Sequence, residues 1–121
     1  MALILIVDDS PTEVHVMKKA LEKSGYQTAT AQDGAEGVRM AREMTPDLIF
    51  MDVVMPGING FQATRSIAKD PETSTIPILV VSAKNQETDR VWALRQGAKE
   101  YIVKPVKGDE LNGKIKGLLG G

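Results

Sequence analysis

Leu48-Ile49-Phe50-Met51-Asp52 is the stretch on which the rest of the chain turns. An unbroken apolar run, with no polar residue alternating through it, describes a strand buried on both faces, as in a parallel sheet covered by helices. Three more runs share this form. Leu3-Ile4-Leu5-Ile6-Val7 leads into Asp8 and Asp9, Ile78-Leu79-Val80-Val81 into Ser82, and Tyr101-Ile102-Val103 into Lys104. Parallel strands point the same way, so the residues that follow them collect at one rim of the sheet. In open α/β sheets that rim, at the carboxyl ends of the strands, is where ligands bind.

The segments between the runs carry helical period and recognisable ends. Ser10-Pro11-Thr12-Glu13 has the form of a capping box with proline at the first helical position, followed by an apolar stripe of Val14, Met17 and Leu21 and a stop at Gly25. Asp33 and Glu36 repeat the box ahead of Ala35, Val38 and Ala41. The stripes expected of the later helices are Phe61, Thr64 and Ile67, then Val91, Trp92 and Leu94, then Leu111, Ile115 and Leu118. Gly113 and Gly117 weaken the last helix by about 1 kcal/mol each relative to alanine, so its order must come from packing. Residues 27–31 alternate polar and small side chains, which predicts a strand at the sheet edge. The alternation predicts an α/β fold, flavodoxin-like and doubly wound, with a five-stranded parallel sheet in the order 2-1-3-4-5 and five helices.

Composition narrows the function. A chain of 121 residues is expected to form one domain, spanning residues 1–121, with no output domain to bind DNA after the fifth helix. Fifteen Lys and Arg against sixteen Asp and Glu give a net charge of −1, without the positive field that phosphate-backbone binding requires. Nucleic acid is therefore not an expected partner. The lack of cysteine excludes disulfides and thiolate metal sites. Met1 runs directly into a strand too short for a signal segment or a membrane span, so the expected location is cytoplasmic, with no membrane contact.

The rim residues suggest a chemistry. Two adjacent carboxylates, Asp8 and Asp9, with Asp52 from the neighbouring strand, form an oxygen-rich pocket for a hard divalent cation. Mg²⁺ favours a few carboxylates completed by water and phosphate oxygens. Lys104 brings a mobile positive charge for the same phosphoryl group, and the Ser82 hydroxyl can donate to it. Asp52, alone at the centre of the sheet, is the candidate nucleophile, since an aspartate beside Mg²⁺ can attack phosphorus and become an acyl phosphate. Met55-Pro56-Gly57 and Gly60 allow the backbone to curl over the pocket, with the Val54 carbonyl facing the metal. Any one aspartate at a strand end serves equally well as a helix cap; it is the combination that is specific.

Val7-Asp8-Asp9-Ser10, Met51-Asp52-Val53-Val54-Met55-Pro56-Gly57 with Gly60, Val81-Ser82-Ala83-Lys84, Gly97-Ala98 and Tyr101-Ile102-Val103-Lys104-Pro105 together resemble a response-regulator receiver domain of the chemotaxis type, over the full length. Residues 59–65, 69–74 and 86–89 are most similar to the stand-alone regulators of type IV pilus twitching motility. The resemblance implies that Asp52 accepts a phosphoryl group from a histidine kinase in a two-component phosphorelay. Asp8, Asp9, Asp52 and the Val54 carbonyl would hold Mg²⁺, and Lys104 would bridge to the phosphoryl group. It also implies that Ser82 and Tyr101 form a switch pair. They would act on a face made by the fourth helix, fifth strand and fifth helix, where a downstream protein target binds. The protein is expected to be a monomer that catalyses only its own phosphorylation and dephosphorylation. Val54 and Lys84, two residues past Asp52 and Ser82, would set the lifetime of the phosphorylated state. A cis Lys104-Pro105 bond is implied as well.

Two rivals come from other classes. An aspartyl-phosphate phosphohydrolase needs a second carboxylate close after the nucleophile, and Val53 and Val54 fill those places. A flavodoxin-like electron carrier would have to seat a phosphate against Asp8 and Asp9. A phosphate sink without an output surface is the third alternative. His15 is expected at the surface, Trp92 chiefly as packing with a partner anchor as its alternative, and Lys114 and Lys116 as complements to the last helix dipole or as solvated charges.

Overall fold

A computed structural model of the chain describes residues 2–119. Strand and helix alternate as β1 (Leu3–Val7), α1 (Pro11–Lys23), β2 (Gln27–Ala31), α2 (Gly34–Met44), β3 (Leu48–Asp52), α3 (Gly60–Lys69), β4 (Ile78–Ser82), α4 (Glu87–Gln96), β5 (Glu100–Val103) and α5 (Gly108–Leu119). The strands pair in the order β2-β1-β3-β4-β5, all parallel, with β2 at the edge as its alternating sequence predicts. Val7 sits opposite Met51, Asp52 opposite Val81 and Ser82 opposite Val103, so the polar residues that end the runs share one rim.

The period of two along each strand divides the core between the two faces of the sheet. Leu5, Val7, Ile49, Met51 and Val80 pack with Ala41, Ala63, Ile67 and Ala93. Ile4, Ile6, Phe50, Leu79, Val81 and Ile102 pack on the other face with Met17 and Leu21 of α1 and Leu111 and Ile115 of α5. Every residue of β3 is buried, which is why its sequence is apolar throughout. No helix among the described residues is long and apolar enough to cross a membrane.

Several local expectations are corrected. Ser10 and Asp33 do cap α1 and α2 by accepting the N–H of Glu13 and Glu36, but the reciprocal half of each box is not made. The full capping box is at α3, between Asn59 and Gln62. The buried stripe of α2 runs through Gly34, Gly37 and Ala41, and Ala35 faces solvent. At α4 the expected apolar stripe is turned outward. Val91, Trp92 and Leu94 are exposed, and the helix packs through Ala93 and Gln96. The small Ala93 side chain lets the helix lie close, and the three bulky residues take the remaining positions around it. Lys114 pairs with Glu100 Oε1 at 2.7 Å instead of serving only the helix dipole. His15 is on the surface, and Lys104-Pro105 is cis.

Candidate functional site

Asp8, Asp52, Ser82 and Lys104 meet at the carboxyl rim because each follows a strand in the register described above. The backbone sets them close. Lys104 N–H donates to the Ser82 carbonyl at 2.8 Å, and Asp8 N–H donates to the Ala31 carbonyl at 3.1 Å, which extends the ladder to the site itself. Asp8 and Asp52 are buried, and Lys104 reaches between them with its ammonium. Its Nζ lies 3.1 Å from Asp52 Oδ1 and 3.7 Å from Asp8 Oδ2.

A further carboxylate joins them. Glu13 Oε2 accepts from Lys104 Nζ at 2.8 Å, the shortest of the three pairs. Asp8, Glu13 and Asp52 each bring one carboxylate oxygen within 4.8 Å of the others. Sequence reasoning assigned Glu13 to a capping box and missed it. The available signal was its place in the first turn of α1, immediately past the β1 rim, where a long side chain leaning toward the helix N-terminus reaches back over the sheet. Asp9 is exposed and lies outside this group.

Burial dominates the electrostatics. It pushes Asp8 up to about 6 from 3.8, against the Ser10 N–H that donates to its Oδ1 at 2.9 Å, and the charge of Asp52 adds to the rise. Asp52 is also raised by burial, although the hydrogen bond and charge of Lys104 oppose the shift. For Lys104 burial favours the neutral amine, but hydrogen bonds to Glu13 and Asp52 outweigh it and hold the ammonium above its ordinary range. The pocket thus concentrates negative charge around one fixed cation. Three carboxylate oxygens at this spacing suit a hard divalent ion that keeps several waters, as Mg²⁺ does.

Around the pocket, Ser82 Oγ accepts the Lys84 N–H at 3.1 Å. Tyr101 is buried and donates its hydroxyl to the Lys84 carbonyl at 2.7 Å. Ser82 and Tyr101 therefore share one segment, the loop that opens α4. Val54 and Lys84 flank the rim and are exposed. The loop after β3 is shaped by glycine. Gly57 has φ +77, and a Cβ on Gly60 would fall 1.9 Å from the Asp52 carbonyl oxygen. Gly60 N–H donates to the Val53 carbonyl at 2.8 Å, fixing α3 against the end of β3.

Comparison with known proteins agrees with this geometry. Residues 4–116 match the response regulator receiver domain family. Protein PilH of Pseudomonas aeruginosa is 54% identical over 121 residues, covering 100% of each chain. Chemotaxis protein CheY4 of Vibrio cholerae superposes with a TM-score of 0.92 at 28% identity, over 98% of this chain and 99% of that one. The receiver domain of a Pseudomonas aeruginosa sensor histidine kinase, solved with a magnesium ion coordinated in its active site cleft, superposes with a TM-score of 0.92 at 32% identity. The two cover 99% of this chain and 98% of that one. From its strand order, its acidic rim with a bridging lysine and the extent of these matches, the chain belongs to the response-regulator receiver-domain family.

Proposed function

We propose that this protein is a stand-alone, cytoplasmic phosphoacceptor switch. In this reading Asp52 takes a phosphoryl group from the phosphohistidine of a kinase and the protein controls type IV pilus twitching motility. The observation that carries the chemical part is the buried Asp52 carboxylate, bonded to Lys104 Nζ at 3.1 Å with Asp8 beside it. The pilus assignment is supported by the 54% identity to Protein PilH, whose length the chain matches.

Asp52 Oδ attacks phosphorus in line with the leaving imidazole: an O–P bond forms, the P–N bond breaks, and the nitrogen keeps the bonding pair. Lys104 neutralises charge on the transferred group, and the Ser82 hydroxyl, released from the Lys84 N–H, donates to it. Asp8, Asp9, Asp52 and the Val54 carbonyl would hold Mg²⁺, which when bound draws charge from the phosphoryl oxygens. Tyr101 couples the event outward, because its hydroxyl holds the same Lys84 backbone that Ser82 holds. The partners are then a histidine kinase and a protein target on the face of α4, β5 and α5, with no nucleic acid or membrane, and the protein acts as a monomer. Asp52→Asn should abolish labelling by acetyl phosphate or a kinase in the presence of Mg²⁺. Wild-type labelling of that variant would remove Asp52 from the role.

A further inference from the structure

Three carboxylates compete for one ammonium in this pocket, and the one that holds it most closely is not on a strand end. Glu13 sits in the first turn of α1, its N–H capped by Ser10 Oγ at 3.3 Å, and its carboxylate takes Lys104 Nζ at 2.8 Å. The other two distances are 3.1 Å to Asp52 and 3.7 Å to Asp8. Asp8 and Asp52 are confined by burial, whereas the Glu13 side chain is 43% exposed and free to swing into water.

We propose that Glu13 is a latch on Lys104: it engages the ammonium in the resting protein, and the phosphoryl group on Asp52 must displace it. The inference rests on the phosphoacceptor reading of Asp52 and deepens it by naming what opposes the phosphorylated state. Two physical effects act in the same direction. An ammonium has only three donors, and in the resting pocket two are given to Glu13 and Asp52 with Asp8 farther off at 3.7 Å, so drawing the ammonium onto phosphoryl oxygens pulls it off one of these partners. The acyl phosphate carries nearly two negative charges where the Asp52 carboxylate carried one, a net gain of about one beside the Glu13 carboxylate, which lies within 4.8 Å of the Asp52 oxygen. Glu13 is the partner that leaves, since it alone can be rehydrated without exposing a buried charge. Its role is one of positioning: it touches Lys104 and acts through it.

Beryllofluoride, a phosphoryl mimic, tests this at saturating Mg²⁺, so that any change in metal affinity drops out. Glu13→Gln keeps the shape and removes the charge. It should raise beryllofluoride affinity on the order of fivefold, the size of a partly exposed ion pair. A double-mutant cycle then asks whether the effect runs through the lysine. In a Lys104→Met background, the Glu13→Gln gain should disappear. Unchanged or weaker binding by Glu13→Gln overturns the latch, and so does a gain that persists without Lys104, which would be general charge repulsion. A wild-type protein that fails to bind beryllofluoride with Mg²⁺ would instead overturn the phosphoacceptor reading itself.

Discussion

Asp8 is the residue at which the cost of building this pocket is most visible. Its carboxyl is pushed up to about 6 from 3.8, chiefly by burial. Between those two values the folded protein binds more protons than the unfolded chain, so stability falls as pH rises through the window. By pH 7 the cost in metal-free protein is on the order of 2 kcal/mol. Asp8→Asn, which keeps the acceptor for the Ser10 N–H, should recover about that amount at pH 7 and almost none at pH 4. Urea unfolding at both pH values, without divalent ions, measures the difference. Equal stability of the two proteins at pH 7 would show that the buried charge is tolerated without strain. A further proposal at this scale concerns the lifetime of the phosphorylated form: Val54, exposed, can neither orient nor activate water, and the long stem of the exposed Lys84 would shield the phosphoryl group. Val54→Asn combined with Lys84→Glu should speed dephosphorylation about tenfold, or about 1.4 kcal/mol of barrier. Decay of labelled protein after donor removal reads this directly, and an equal or slower decay would exclude these positions from control of the water.

Helix α3 shows how an element is held to the site by what it lacks. A Cβ at Gly60 would overlap the Asp52 carbonyl oxygen, so Gly60→Ala must move either the helix or the end of β3 that carries Asp52. A loss of stability of about 3 kcal/mol or more is expected, with loss of phosphorylation in whatever folds. Thermal unfolding and acetyl phosphate labelling test both, and a fully active, wild-type-stable variant would contradict the close approach. One turn further on, the Thr64 hydroxyl is buried and is the one such side-chain group without a hydrogen-bond partner among the described residues. Thr64→Val should therefore be neutral or stabilising, by up to about 1 kcal/mol. Helix α4 marks the limit of reading elements from sequence. Val91, Trp92 and Leu94 are apolar and so suggest a core stripe, but the spacing i, i+1, i+3 does not single out one face, and Ala93 and Gln96 take the inward positions. In β1, β3 and β4 the signal was unambiguous, since both faces are buried and nearly every side chain had to be apolar.

At the scale of the molecule, parallel topology is what made the site legible. Once the runs are strands of one sheet, Asp8, Asp52, Ser82 and Lys104 have nowhere to be but together. Glu13 stayed hidden because it follows a helix cap, where an acid is already accounted for by the dipole. The exposed Asp9 lies outside the group formed by Asp8, Glu13 and Asp52, so its proposed part in holding Mg²⁺ rests on the family resemblance and not on this cluster. The outward route also becomes physical at this scale. Ser82 and Tyr101 lie on adjacent strands, Ser82 opposite Val103, and both bind the backbone of Lys84, three residues before α4 begins. In the proposed switch, a Ser82 hydroxyl drawn to a phosphoryl group would leave the Lys84 N–H and free the loop that Tyr101 holds from the other side, a second arrangement of the two contacts on Lys84. Amide shifts on adding beryllofluoride and Mg²⁺ should therefore extend from the loop after Asp52 through Lys84 to α4 and β5. Tyr101→Phe, which removes only the hydroxyl, should leave the shifts near Asp52 intact and shrink those in α4. A response confined to the loop after Asp52 in the wild-type protein would favour a phosphate sink. Undiminished α4 shifts in Tyr101→Phe would mean that the signal reaches the helix by another contact.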